Sequence, residues 1–408
     1  MKTKQRIALV MQGGAGWIGG TEYVKNLILA IGHLPAAERT EVELCLISGQ
    51  PLEAGLAAQL RPHLARHYVL SEDAPAATIP NRARWLFDRR LRGRPNSRFA
   101  EFVRAAQFDF LYPLTYDNQY NIGVALPIGD ALGDCRWAGW IPDFQHRFMP
   151  QLFNAKELAK RDTGIGALVE DARTIVFSSE SAIRDYRQLY PQAKAAATVL
   201  HFYTLPNAAW FEGDPVAVQR HLHLPERFFL VSNQFWQHKN HGALFDALAI
   251  LRERGIRPEI VCTGHPHDFR DKDYFNSLLR RMHERGVASQ VHVLGLIART
   301  EQMQLMRRCI AVVQPSLFEG WSTVVEDARA LGKPIIMSDI DVHREQAPHG
   351  GAYYQRDSAE ALAALLAEWW EQLKPGPDLE REANAREEGV KAALNYARNF
   401  LQIARTAP

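Results

Sequence analysis

Short, mainly apolar runs recur along this chain with helix-like segments between them. They do so twice, on either side of a proline-bearing stretch at 203–226. A strand that is apolar at nearly every position has both faces covered, which points to a parallel sheet flanked by helices. Before the break the runs are Arg6–Gln12, Val42–Ser48, Phe108–Leu114, Arg136–Ile141, Thr174–Ser178 and Thr198–Phe202. After it they are Phe228–Ser232, Glu259–Thr263, Val291–Leu294, Ala311–Gln314 and Ile335–Ser338, the last clear strand. Helical patterns include Thr21–Leu34, with Thr21 as its N-cap, and His241–Arg254, Lys272–Glu284 and Thr300–Cys309. The sequence therefore predicts an α/β chain of two doubly wound, Rossmann-like lobes facing one cleft. The linker falls at Tyr203–Glu226, with Pro206, Pro215 and Pro225. The expected divisions are 1–205, 206–375 and 376–408, the last holding an amphipathic helix at Leu379–Ile403.

Composition excludes more than it assigns. The 408 residues carry 48 basic and 46 acidic side chains, a net charge of +2, so no global field draws nucleic acid. The four cysteines have neither metal nor redox spacing, and Cys45, Cys262 and Cys309 read as buried thiols of a reduced compartment. Ile7–Met11, behind the basic start, is too short for a leader or a membrane span, so a cytoplasmic location is expected. Arg82, Arg84, Arg89, Arg90, Arg92, Arg94, Arg98 and Arg104 interleave with Trp85, Leu86, Phe87, Phe99 and Phe102. That mixture suits peripheral contact with an anionic membrane or a lipid diphosphate. It suits a solvated helix pair with ordinary core contacts equally.

The chemistry concentrates at 316–334. A buried strand ends there, Glu319-Gly320-Trp321 follows, and a helix opens at Ser322 or Thr323 and stops near Gly332-Lys333-Pro334. Unpaired N–H groups on a first helical turn, the positive end of the helix dipole and a glycine beside them favour a phosphate or diphosphate. Glu319, Glu326 and Asp327 flank that position, and carboxylates there suit sugar or ribose hydroxyls rather than phosphate. Glu319-Gly320-Trp321, the Ser322-Thr323 turn, the acids at 326 and 327 and the closing Ala-x-Ala-x-Gly-x-Pro order resemble the donor-site signature of retaining family-four glycosyltransferases of the GT-B fold.

The resemblance implies a metal-independent hexosyltransferase with no cofactor, taking a nucleotide-sugar donor and a glycan or glycolipid acceptor, as in lipopolysaccharide or other polysaccharide assembly, with the helix at Leu379–Ile403 crossing back to the first lobe. It implies that Glu319 meets the transferred sugar, that Gly320, Trp321, Ser322 and Thr323 meet the diphosphate, and that Glu326 or Asp327 holds the ribose. Lys239 stands where the family has a lysine on the leaving diphosphate, whereas Asn233 stands where it has an arginine. A fixed cation there stabilises the charge of the departing group. His238 and Arg344 are candidates to replace the missing one. The ends of two strands, at Gly264 and Leu294, are places for the nucleobase.

In the first lobe, Gly19-Gly20-Thr21-Glu22 resembles the family's glycine loop at the donor phosphate or acceptor. The same stretch contains Gly14-x-Gly16-x-x-Gly19, a dinucleotide fingerprint, but the second strand ends Leu46-Ile47-Ser48-Gly49 without the acid a ribose requires. Glycines serving only a tight turn are the third reading. His146 resembles the family's strand-end histidine beside the donor sugar, with Asp143 as an acceptor-side contact. Ser179 in Ser178-Ser179-Glu180 reads as a helix cap. A nucleotide-sugar epimerase on the same fold and an NAD-dependent or nucleotide-binding protein are the alternative functions.

Overall fold

The computed structural model describes residues 4–14, 17–73, 97–118 and 122–408. The chain divides into two compact units. One comprises Met1–Pro150, Asn154–Tyr203 and Ala392–Pro408; the other comprises Gln151–Phe153 and Thr204–Lys391.

The first unit is built on a parallel sheet of β1 (Gln5–Val10), β2 (Val42–Ser48), β3 (Arg66–Val69), β4 (Phe110–Leu114), β5 (Arg136–Ile141), β6 (Thr174–Phe177) and β7 (Ala196–Val199). Its order is β3-β2-β1-β4-β5-β6-β7, so the winding reverses between β1 and β4. Ala8, Val10, Ile47 and Leu111 enter one buried cluster, and Ile141, Ile175, Phe177 and Leu168 another. Strand β3 has no apolar run to announce it. It is an edge strand whose Arg66 guanidinium lies 4.5 Å from the centroid of the Tyr68 ring.

Two local expectations change. The first helix begins at Ile18, not Thr21, and the Thr21 hydroxyl does not cap it but donates to the Gln12 carbonyl (3.2 Å) and accepts from the Gly14 N–H (3.0 Å). The segment at 203–226 is not bare linker. It holds helices Ala208–Glu212 and Pro215–His221, capped by the side chains of Asn207 and Asp214. Ser179 caps the helix Glu180–Leu189 as expected, accepting from the Ala182 N–H at 3.0 Å.

The second unit has a parallel sheet of β8 (Phe229–Ser232), β9 (Ile260–Thr263), β10 (Val291–Gly295), β11 (Val312–Gln314), β12 (Ile335–Ser338) and β13 (Gly351–Tyr354). The order is β10-β9-β8-β11-β12-β13, with the reversal between β8 and β11. Every residue of β8, β9, β11 and β12 is buried, which is why those runs were legible as apolar. Strand β13, Gly351-Ala352-Tyr353-Tyr354, is a mostly half-buried edge and gave no such run.

The helix Leu379–Thr406 starts in the second unit and ends in the first. Within the first unit its Tyr396, Ala397, Phe400 and Ala404 are buried. There Phe400 meets the rings of Phe110 and Tyr112, and the Gln5 side chain donates to the Ala404 carbonyl at 2.9 Å. All four cysteines are buried and free. Among the described residues no helix is long and apolar enough to cross a membrane. Most of the arginine-rich segment, from Arg82 to Arg94, lies outside the described residues. Its described end is the helix Ser97–Ala106, which buries Phe99 and Phe102.

Candidate active site

In open α/β sheets, ligands sit at the carboxyl ends of the strands where the winding reverses. In the second unit that place is the pair of loops after β8 and β11. The first runs Asn233 to Asn240 and closes in a 3-10 turn, Gln237–Lys239, with Asn240 left-handed at φ 55°. The second runs Pro315 to Ser322. The Leu317 N–H donates to the His238 carbonyl at 2.7 Å, so the two loops are tied backbone to backbone.

A chain of side chains crosses this point. Asn233 Nδ2 donates to Gln314 Oε1 (2.8 Å), and Gln314 Nε2 donates to Ser316 Oγ (3.0 Å) and Glu319 Oε1 (2.9 Å). Lys239 Nζ closes it at 2.5 Å from the same Glu319 oxygen. Burial pushes the Glu319 carboxyl up, but Lys239 and a hydrogen bond from Ser316 outweigh it, and its pKa falls below the usual carboxylate range. Glu319 is therefore a charged acceptor at neutral pH, held by a cation on one side and an amide on the other.

Of the two candidates for a second cation, the structure speaks against His238. His238 is buried, and burial with Lys239 and Arg270 beside it drives its pKa well below the usual histidine value, so the ring is neutral. Arg344 pairs with Asp339 at 2.7 Å on the surface and lies 4.0 Å from the centroid of Tyr353. Asn233 is buried with its amide turned to Gln314. Gly264 explains why that loop lies so low. At φ +137°, a Cβ there would stand 2.1 Å from the Asn233 carbonyl oxygen, so only glycine lets the β9 and β8 loops touch. The Gly264 N–H donates to the Gly295 carbonyl (2.8 Å), linking the loops after β9 and β10, where Leu294 is half-buried.

Ser322 caps the helix Thr323–Ala330, its hydroxyl accepting from the Val325 N–H at 3.4 Å. Gly320 is buried, and Trp321 and Thr323 are half-buried. The neighbouring acids face different partners. Glu326 receives Arg329 (3.0 Å to each oxygen) and Gln346 Nε2 (2.8 Å), and Gln346 also bonds the Ser322 N–H and carbonyl. Asp327 receives both guanidinium arms of Arg299, at 2.7 and 2.5 Å, and the Thr204 hydroxyl at 3.2 Å. Arg299 opens the helix that follows the β10 loop. Neither Arg299 nor Gln346 carried a sequence signal, since both partners come from distant elements.

The remaining predicted residues belong to the first unit. His146 sits in the short helix Gln145–Phe148, 1% exposed, with Nε2 3.1 Å from Asp162 Oδ1. Burial lowers its pKa, while Asp162 pulls the other way. Asp143 Oδ1 accepts from the Gln145 N–H at 2.8 Å. Gly19 and Gly20 lie in the first helical turn, against the indole of Trp17. At the end of β2, Ser48 contacts His67 at 2.8 Å, where a dinucleotide site would need an acid.

Residues 218–389 match the family model "Glycosyl transferases group 1". They form a glycosyltransferase group 1 domain. The segment holds all six strands of the second unit and the whole side-chain chain from Asn233 to Glu319. Among sequence relatives, EpsF of Bacillus subtilis is 35% identical over 106 residues, 26% of each chain. The N,N'-diacetylbacillosaminyl-diphospho-undecaprenol alpha-1,3-N-acetylgalactosaminyltransferase of Campylobacter jejuni is 31% identical over 114 residues, 28% of this chain and 26% of the relative. These matches span about a quarter of the relatives' own length. Among solved structures, Anabaena HepE in complex with UDP and glucose superposes with a TM-score of 0.67 at 17% identity, covering 98% of this chain and 100% of that one. At that identity the likeness is one of fold, and the fold is GT-B. The group 1 domain and its partner unit are thus the two parallel α/β halves the sequence predicted.

Proposed function

We propose that the chain transfers a hexosyl residue from a nucleotide-sugar donor to a hydroxyl of a glycan or lipid-linked glycan, with retention of anomeric configuration. The observation that carries this is the Lys239–Glu319 pair at the reversal of the second sheet. Donor diphosphate lies at the amino end of the helix Thr323–Ala330, near Gly320, Trp321 and Ser322, where backbone N–H groups and Lys239 take its charge. No metal or cofactor is assigned to the reaction. Glu319 accepts from hydroxyls of the transferred sugar while its charge is held by Lys239 and Gln314. As the sugar–phosphate bond breaks, negative charge grows on the diphosphate, and Lys239 stabilises it more than it stabilises the ground state.

Asp327 is assigned to the ribose. Its partner Arg299 belongs to the segment after the β10 loop, beside the place assigned to the base, whereas Glu326 is bound into the Gln346–Ser322 clamp. His146 and Asp143 are assigned to the acceptor side. The relatives and the structural neighbour support the class of substrate: an N-acetylgalactosaminyltransferase of a diphospho-undecaprenol-linked sugar, an O-antigen chain mannosyltransferase from Salmonella typhimurium, and a structure holding UDP and glucose.

The test is the shift in unfolding temperature with UDP, GDP, ADP, dTDP and NAD, on wild type and Lys239→Ala. A ligand at about 100 times its Kd stabilises the folded state by roughly 2.7 kcal/mol. A shift with one nucleoside diphosphate that Lys239→Ala abolishes is the expected result. A shift with NAD alone overturns the reading.

A further inference from the structure

We infer that Trp17 is a stacking platform for a pyranose ring of the acceptor. The inference rests on the transferase reading and adds a binding surface to it. Trp17 follows the carboxyl end of β1 and stays 38% exposed, unusual for a side chain so firmly seated. One face of its indole stacks on Trp140, centroids 5.6 Å apart and planes 13° apart. Trp140 in turn stacks on the buried Tyr23 at 4.1 Å and 9°, and its indole N–H donates to Ser178 Oγ at 3.1 Å. Three near-parallel rings thus rise from the core of the first unit to its surface. The backbone of Trp17 is fixed as well, its N–H donating to the Gly14 carbonyl at 3.0 Å and its carbonyl accepting from Gly20 at 3.3 Å.

Gly20 makes the seat. A Cβ at that position would stand 2.8 and 2.9 Å from two carbons of the Trp17 ring, so any larger residue displaces the indole. The glycine pair that resembles a phosphate loop therefore has a second, local purpose: it leaves room for an aromatic ring to lie flat. An aromatic face held in place before binding loses little rotamer freedom when a ligand covers it. The ligand such a face takes is flat and apolar on one side, which describes the C–H face of a pyranose. On the next turn the Lys25 ammonium is already paired with Glu22 at 2.6 Å, so it is not a ready partner for a nucleotide's phosphates.

The experiment is saturation-transfer NMR on the full chain with methyl β-glucoside, β-galactoside, α-mannoside and β-N-acetylglucosaminide at millimolar concentration. UDP, GDP, ADP and dTDP are run beside them. Expected is saturation of the C–H protons on one face of at least one glycoside, falling about tenfold in Trp17→Ala and retained in Trp17→Phe. Trp17→Leu, which keeps apolar bulk without the ring, should lose it too. Calorimetric nucleotide affinity should be unchanged in all three variants. Saturation absent from every glycoside, unaltered in Trp17→Ala, or moved to nucleobase protons that depend on Trp17 overturns the inference. Failure of the transferase reading is distinguishable, because then no nucleoside diphosphate binds wild type.

Discussion

Lys239 and Glu319, eighty residues apart in sequence, share a 2.5 Å ion pair with the Gln314 amide on the same carboxylate oxygen. The pair joins the two loops at the reversal of the second sheet, so it cross-links the site proposed for transfer.

Removing either partner leaves a largely buried charge without its counter-ion. Glu319→Ala and Lys239→Ala are each expected to lower unfolding free energy by about 3 kcal/mol. The double variant Lys239→Met/Glu319→Leu should recover much of that loss, with a coupling of about 1–3 kcal/mol. Urea unfolding midpoints at constant slope measure it. Glu319→Gln, which keeps the shape, should reduce transfer roughly 100-fold or more while nucleoside diphosphate still binds. Wild-type turnover in Glu319→Gln would remove the central assignment.

The adjacent acids separate by what they hold. Asp327→Ala should weaken nucleoside diphosphate binding about tenfold or more, since it removes the acceptor proposed for the ribose and unpairs Arg299. Glu326→Ala should leave affinity near normal and cost about 2–3 kcal/mol of stability through the Gln346–Ser322 clamp. The reverse pattern in titration calorimetry and thermal unfolding would exchange the two roles.

Gly264 bears the closest approach in the site. Gly264→Ala places a methyl 2.1 Å from the Asn233 carbonyl and demands a φ of +137° that L side chains rarely adopt. A loss of at least about 3 kcal/mol is expected, with Lys239 displaced because its loop begins at Asn233. A variant with unchanged melting temperature and unchanged nucleotide affinity would refute this account.

The parallel sheets were legible because their central strands are buried on both faces and so are written as apolar runs, such as Phe229-Leu230-Val231 and Ile335-Ile336-Met337. Edge strands β3 and β13 are only partly covered and carry Arg66 or tyrosines, so no such pattern marked them. The motif at 319–327 was legible because its residues are close in sequence. The pairing of Lys239 with Glu319, of Asp327 with Arg299 and of Glu326 with Gln346 was not, since each joins loops that only the strand order brings together. His238 misled for the same reason: its charge is decided by burial and by Lys239 and Arg270, not by its own motif.

Acid should weaken the fold in a window set by buried histidines. His146, His238, His241 and His343 all have pKa values lowered by burial, His241 to about 3. Each is neutral when folded but takes a proton when unfolded near its ordinary value of about 6.5. The unfolded state therefore binds more protons as pH falls, and stability that is complete above about pH 6.5 declines below it. Glu319 acts later, because its stabilisation is present above the ordinary carboxylate value and is lost only as pH falls through its lowered one. Between pH 6.5 and 5.0 the slope thus belongs mainly to these imidazoles, each contributing up to about 1.4 kcal/mol per pH unit. His241 isolates the effect. Its ring stacks on Phe235 at 4.4 Å and 17°, and among the described residues neither ring nitrogen has a hydrogen-bond partner. His241→Phe keeps the stack and removes the proton, so it should flatten the slope of unfolding free energy against pH by one histidine's share. An unchanged slope in that variant would show that His241 is not held neutral by burial.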